Sequence, residues 1–366
     1  MKNKWLKVLA LSLAVAMSIS LAACSSSPAA SSAPAAETSG AEASTEAAPQ
    51  SKEGGYKIGW STIYLTPSWM QQTKAMMDER VEHWKAQGII SEYTIANANG
   101  DTSTQISQIE NMISQGYDAI ILIAGSSTAL NTVVDKCAAQ GVVVVNIDSL
   151  VTTDKVTCTI NTSATEHGQL CAQWLVDKIG GKGEIVLFNG PAGVAVSDER
   201  QAGAQSVLAK YPDVKVVANL NTEYNEAPAL EAINPVLDTN PNIAGILSLG
   251  GAMSSASLKA IEEKGMNMIP ITGENYNAFM KNWDRLKAKG FSSFAVGQPN
   301  WLGVLAVDQC VRILNGDAYE KEILVPLPQF TDDNLSKFVP NDLADDGFTI
   351  AKITEDEITK YLTPKA

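Results

Sequence analysis

From about residue 56 onward, short apolar runs alternate with stretches whose apolar residues recur every three or four positions. Apolar runs bounded by polar turns read as strands buried on both faces, and the amphipathic stretches as the helices that cover them. The pattern predicts strand 57–63, helix 68–87, strand 93–98, helix 103–115, strand 119–124, helix 128–140 and strand 142–147. A second set follows: helix 166–179, strand 184–189, helix 198–211, strand 215–220, helix 227–239, strand 244–249 and helix 253–264. Strand 268–272, helix 278–289, strand 293–297 and helix 302–314 complete it. In the first helix Trp69, Thr73, Met76, Arg80 and Trp84 fall at helical spacing. Gly88, Gly116, Gly141, Gly180 and Gly265 each follow a helix, where a left-handed C-terminal cap favours glycine. Strands and helices in alternation give an α/β chain, with enough units for two parallel sheets.

The two ends of the chain depart from this rhythm. Lys2, Lys4 and Lys7 precede an apolar run over 8–23 that ends Leu21-Ala22-Ala23-Cys24. That run is shorter than the roughly 20 residues of a bilayer-spanning helix and reads as a signal peptide, 1–23. Its last residues resemble the bacterial lipobox. The resemblance implies that Cys24 becomes the mature N-terminus and carries acyl chains that anchor the protein to the outer face of a membrane; a plain secretory signal is the alternative. Residues 24–54 are nearly all Ser, Ala, Pro, Glu and Gly, too polar to offset the entropy of ordering, and read as a flexible tether.

Charge narrows the partners. With 27 Lys and Arg against 40 Asp and Glu, the net charge is −13, which argues against nucleic acid as a partner. Beyond Cys24, the cysteines Cys137, Cys158, Cys171 and Cys310 show no metal-site spacing and read as buried small residues, with a Cys158–Cys171 disulfide as the alternative. No glycine-rich dinucleotide turn, phosphate loop or G-x-S-x-G elbow occurs. His83 and His167 fall within predicted helices and are expected to be partly exposed. These patterns call for no metal, no cofactor and no catalytic residue.

Polar and aromatic residues instead collect where strands end, the place where parallel sheets form ligand crevices. The candidates are Ser61, Tyr64, Thr66, Ser68 and Trp69 after the first strand, and Asp148 with Ser149 after the valine run. Arg200, Tyr224, Glu274 with Asn275, and Gln298 with Asn300 follow later strands. Carboxylate, amide and guanidinium groups bridge neighbouring hydroxyls and flat rings cover C–H faces, so the set suits a sugar. Four have a plainer reading: Asp148 as a turn cap, Arg200 as an ordinary helix cation, Trp69 as core and Glu274 as a first-turn helix acid.

The stretches Ile58-Gly59-Trp60-Ser61-Thr62, Gly116-Tyr117-Asp118-Ala119-Ile120, Asp198-Glu199-Arg200, Ile271-Thr272-Gly273-Glu274 and Gln298-Pro299-Asn300-Trp301-Leu302-Gly303 resemble the type I periplasmic-binding-protein family, in its ribose-binding branch. The resemblance spans about 56–329. It implies two Rossmann-like lobes, 55–160 with 299–328 and 161–298 with 329–366, joined by a three-stranded hinge. It implies further that Asp148, Arg200 and Gln298 hold ligand hydroxyls, that Trp69 and Tyr224 stack on the ligand, and that Glu274 replaces the family's usual aspartate. Two departures stand out: Ser149 replaces a second arginine, and Gly250-Gly251 replaces an Asn-Asp pair, which puts ribose itself in doubt and leaves room for a larger or less hydroxylated ligand. Such proteins are monomers that close around a solute and dock an ABC transporter permease, or signal to a receptor or kinase. An enzyme using Asp148 and Glu274 as acid and base is the third and weakest reading.

Overall fold

Ile120, Ile121, Leu122 and Ile123 are all buried, because the strand that carries them is covered by helices on both sides. The computed structural model describes residues 52–339, 342–350 and 352–365. The expected signal peptide, Cys24 and most of the expected tether lie outside the described residues.

The first sheet is built from β1 (Tyr56–Thr62), β2 (Ile90–Asn97), β3 (Ala119–Ile123), β4 (Val143–Ile147) and β5 (Cys158–Asn161), with α1 (Ser68–Ala86), α2 (Thr102–Ser114) and α3 (Asn131–Ala139) between them. The second follows as α4 (Ala164–Lys178), β6 (Gly183–Asn189), α5 (Ala195–Leu208), β7 (Val214–Asn221), α6 (Glu226–Thr239), β8 (Gly245–Ser248) and α7 (Gly251–Glu263). It ends with β9 (Ile271–Gly273), α8 (Asn277–Lys287) and β10 (Ser293–Val296). The chain then alternates between lobes through α9 (Leu302–Leu314), β11 (Glu322–Leu324), β12 (Gln329–Thr331) and α10 (Glu355–Leu362).

Strand order is β2-β1-β3-β4-β5-β11 in one sheet and β7-β6-β8-β9-β10-β12 in the other. Every pairing is parallel except β10 with β12. Each sheet reverses its winding at its first strand, β1 or β6, and a crevice opens at the C-terminal strand ends there. Period-2 alternation sends Ile121 and Val145 to the α1/α9 face and Ile120 and Val144 to the α2/α3 face. In the second sheet Val186 and Ile246 pack toward α6, α7 and α8, and Ile185 and Leu187 toward α4 and α5. The two-lobed α/β architecture expected from the pattern is the one observed, and the five cap glycines have φ between 63° and 73°.

Several details differ. The buried stripe of α1 is Met70, Thr73, Met77 and Val81; Trp69, Met76 and Trp84 stand beside it, half-buried. β5, β11 and β12 are only three or four residues long, too short to show a period. Among the described residues the chain passes between lobes four times, where three crossings were expected. It crosses after β5, β10 and β11, and then leaves the second lobe once more, because α10 seats Ile358 and Leu362 in the first-lobe core. Residues 352–365 therefore pack with the first lobe, a correction to the expected second-lobe span of 329–366. Arg80 clamps this helix, reaching Asp308 at 2.5 Å and Glu355 at 2.6 Å. A capping box between Thr354 and Glu357 starts it. Cys137, Cys158, Cys171 and Cys310 are all buried and free, with no Cys158–Cys171 bridge, and burial pushes the Cys137 and Cys158 thiols up to about 12.

Candidate ligand-binding site

Nine of the thirteen candidate residues come together around one cavity of about 90 Å³, between the C-terminal strand ends of the two sheets. That is room for a few waters or one compact solute. Tyr64, Trp69 and Asp148 approach from the first lobe, Arg200, Tyr224 and Glu274 from the second, and Gln298 from the crossing that follows β10.

The depth of Arg200 is set by how closely α4 and α5 cross. A Cβ on Gly168 would lie 1.9 Å from the Arg200 carbonyl oxygen, and one on Gly203 would lie 2.0 Å from that of Thr165. Only two glycines let these backbones touch. α5 begins at Ala195, three residues before the expected start, so Arg200 lies on its second turn and is buried rather than a surface cation. Its Nη1 reaches Glu274 Oε1 at 2.7 Å and donates to the Leu249 carbonyl at 2.7 Å. The other Glu274 oxygen accepts the Gly251 N–H at 3.1 Å. Glu274 lies before α8, so it is a buried ion-pair partner and not a first-turn helix acid. Burial disfavours the Arg200 charge, yet Glu274, Tyr224 and Asp148 more than offset this and hold its pKa above the usual value. The Arg200 Nε–H has no partner among the described residues.

Asp148 sits in the left-handed region at φ 58°, a conformation Asp tolerates better than most residues but still at some cost. Its carbonyl accepts from the Asn161 side chain at 2.9 Å, and its Oδ1 accepts from Gln298 Nε2 at 3.1 Å, so the carboxylate faces the cavity. Burial pushes its pKa up to about 6, against the opposing pull of Arg200 and Gln298. The neighbouring Ser149 hydroxyl is buried and unpartnered. Gln298 also takes a hydrogen bond from Thr162 at the first crossing. The Trp69 indole N–H donates to the Gln298 carbonyl at 2.8 Å, so this ring is held half-buried against both cores rather than within one.

Tyr224 packs against Gly190, where a Cβ would come within 2.2 Å of its ring, and its hydroxyl meets Ser197 Oγ at 2.9 Å. The glycine of Asn189-Gly190-Pro191 thus seats an aromatic wall. The pair Gly250-Gly251 does not open the extra room expected of it. A Cβ on Gly250 would meet Met253 at 2.4 Å, and one on Gly251 would meet Tyr276 at 2.3 Å, so these side chains already fill the space an Asn-Asp pair would take.

Four candidates stand outside the cavity. Ser61 is buried within β1 and accepts from Gln105, which also ties the Ile123 carbonyl and the Gly125 N–H. Thr66 is exposed at a neighbouring recess. Asn275 is turned toward the C-terminal segment and donates to the Thr349 carbonyl. Asn300 holds the start of α1 through the Trp69 carbonyl at 3.1 Å. His83 is exposed, but His167 is wholly buried with neither ring nitrogen partnered, a correction to its expected partial exposure. Burial, and then Arg200 nearby, hold it neutral with a pKa well below the usual value. Phe348 also lines the cavity and was not anticipated, because it lies far beyond the last strand end the pattern revealed.

A family model described as a periplasmic binding protein domain matches residues 58–318. A xylitol-binding protein of Mycolicibacterium smegmatis is 28% identical over 277 residues, covering 75% of this chain and 77% of the relative. The ribose import binding protein RbsB of Bacillus subtilis is 28% identical over 236 residues, covering 64% and 75%. The crystal structure of an ABC transporter solute binding protein from Thermobispora bispora shares the fold with a TM-score of 0.75 at 22% identity, covering 83% of this chain and 94% of that one. With β2 to β10 and most of β1 inside the matched span, the chain belongs to the periplasmic binding protein family.

Proposed function

We propose that this chain captures a monosaccharide or a sugar-related polyol by closing its two lobes, and delivers it to the membrane permease of an ABC transporter. The observation that carries the reading is the convergence of Asp148, Arg200, Glu274 and Gln298 from both lobes and a crossing onto one small cavity walled by Trp69, Tyr64 and Tyr224. Such a site exists complete only in the closed arrangement, so a ligand that touches both lobes shifts the population toward it. The names of the xylitol- and ribose-binding relatives support a polyhydroxylated solute. Both Glu274 oxygens are occupied by Arg200 and Gly251, which supports binding over acid–base chemistry. The reading includes a monomer tethered at the outer membrane face through acylated Cys24.

The test is a thermal-shift screen of the purified protein with pentoses, hexoses, polyols, disaccharides, nucleosides and amino acids at about 1 mM. A ligand of micromolar affinity stabilises by roughly 4 kcal/mol, a clear rise in melting temperature. One sugar or polyol that does so while its epimers do not supports the reading; a response only to a nucleoside or amino acid overturns the sugar assignment. Replacing Cys24→Ala should move the protein from the membrane fraction to the medium, and unchanged fractionation would remove the lipid anchor from the proposal.

A further inference from the structure

Beyond the family-matched span, the chain comes back to the cavity at Phe348, which is buried and forms part of its wall. Its backbone is gripped from both lobes. From α1 in the first lobe, Gln72 donates its side-chain amide to the Phe348 carbonyl at 3.1 Å and accepts the Phe348 N–H at 2.8 Å. A primary amide carries one acceptor and donors side by side, so it meets a peptide group as a neighbouring strand would. In the second lobe, Tyr276 and Phe348 form an antiparallel bridge, with their rings edge-on at 5.5 Å between centroids. Asn275 takes the Thr349 N–H on its own carbonyl at 2.9 Å and returns its side-chain amide to the Thr349 carbonyl. Just beyond, Ile350 adopts φ 62°, a left-handed conformation that is uncommon for a β-branched residue and persists only where its surroundings enforce it.

We propose that Phe348 is a ligand-selecting wall of the cavity, and that Gln72 and Asn275 are positioning residues that hold it there, one from each lobe. This rests on the solute-capture reading above. It gives Asn275 a role in the site that acts through Phe348 and not through the ligand. An aromatic ring offers a hydroxyl no ordinary partner, and a buried hydroxyl without one is costly. The ligand therefore presents C–H groups toward Phe348, and the ring limits its length on that side. The favoured class is a compact sugar or polyol with one edge free of outward hydroxyls.

The experiment compares wild type, Phe348→Ala, Phe348→Leu and Gln72→Ala in the full chain, by calorimetric titration with xylitol, D-xylose and D-ribose against D-glucitol, D-glucose and myo-inositol. Phe348→Ala should raise the six-carbon to five-carbon ratio of binding constants about tenfold or more, the scale of one added group in a fitted pocket. Phe348→Leu and Gln72→Ala should move it less, in the same direction. A merely structural role would weaken all six together, so a ratio within twofold of wild type in every variant overturns the proposal. Amide exchange in the ligand-free protein is an independent reading: Gln72→Ala should speed exchange at Phe348 about tenfold, and an unchanged rate overturns the positioning role. If wild type binds none of the six while that exchange result holds, the sugar reading fails and the positioning of Phe348 stands.

Discussion

Arg200 and Glu274 meet at 2.7 Å with side chains only 4% and 5% exposed, and Glu274 also receives the first N–H of α7 from Gly251. One carboxylate therefore neutralises a buried cation and ties α5 to α7 across the floor of the cavity. Removing one partner of a buried pair leaves an uncompensated charge, at a cost of about 3–5 kcal/mol. Glu274→Gln should lower stability in urea by about 3 kcal/mol, and a loss under 1 kcal/mol would show that Arg200 finds another partner.

Asp148 gives the protein a pH signature. Its folded pKa of about 6 lies above the ordinary value of about 3.9, so the folded state binds more protons between those limits. Its contribution to stability is fully present below about pH 4 and is lost as pH rises through 6, by at most about 3 kcal/mol. Arg200, Gln298, Glu274 and Glu199 set this balance. Asp148→Asn should flatten the profile across that window and abolish ligand capture. Parallel unfolding curves for mutant and wild type at pH 4.5, 6 and 7.5 would refute the assignment.

His167 acts in the opposite direction. Because the folded protein holds it neutral while the unfolded chain protonates near pH 6.5, stability drains away as pH falls below 6.5. With no partner on either ring nitrogen, the imidazole has no hydrogen bond to lose on replacement. His167→Leu should therefore be close to neutral at pH 8 and stabilising by about 2 kcal/mol at pH 5. If the variant is equally destabilised at both values, the ring is held by packing that leucine cannot reproduce.

Gly203 tests whether the close approach of α4 and α5 sets the position of Arg200. An added methyl would sit 2.0 Å from the Thr165 carbonyl oxygen, so the helices must part. Gly203→Ala should cost about 3 kcal/mol, at the upper end of overpacking in a tight core, and should weaken ligand binding through displacement of Arg200. A change within 0.5 kcal/mol would mean that the crossing yields freely.

The strand and helix order was legible because apolar period is a local property: Val142, Val144 and Val145 and the run around Ile121 are buried, and a residue's own neighbours report that. The placement of Tyr64, Asp148, Tyr224, Glu274 and Gln298 was legible for a related reason, since each directly follows a strand, and parallel strands deliver their C-terminal ends to one crevice. Thr354 and Glu357 carried a readable capping box, but the apolar pattern around them is one short helix long and points to no partner. What only the tertiary structure decided is where side chains turn once the elements pack. Ser61 and Asn275 occupy strand-end positions as Asp148 does, yet one is claimed by Gln105 and the other by Thr349. His167 is wholly buried near Arg200, beside the crossing of α4 and α5 that two glycines allow, and Phe348 reaches the cavity because Gln72 holds it from the opposite lobe. Local sequence sets the period of each element, whereas these contacts join residues tens to hundreds of positions apart and form only when the elements that carry them are packed together.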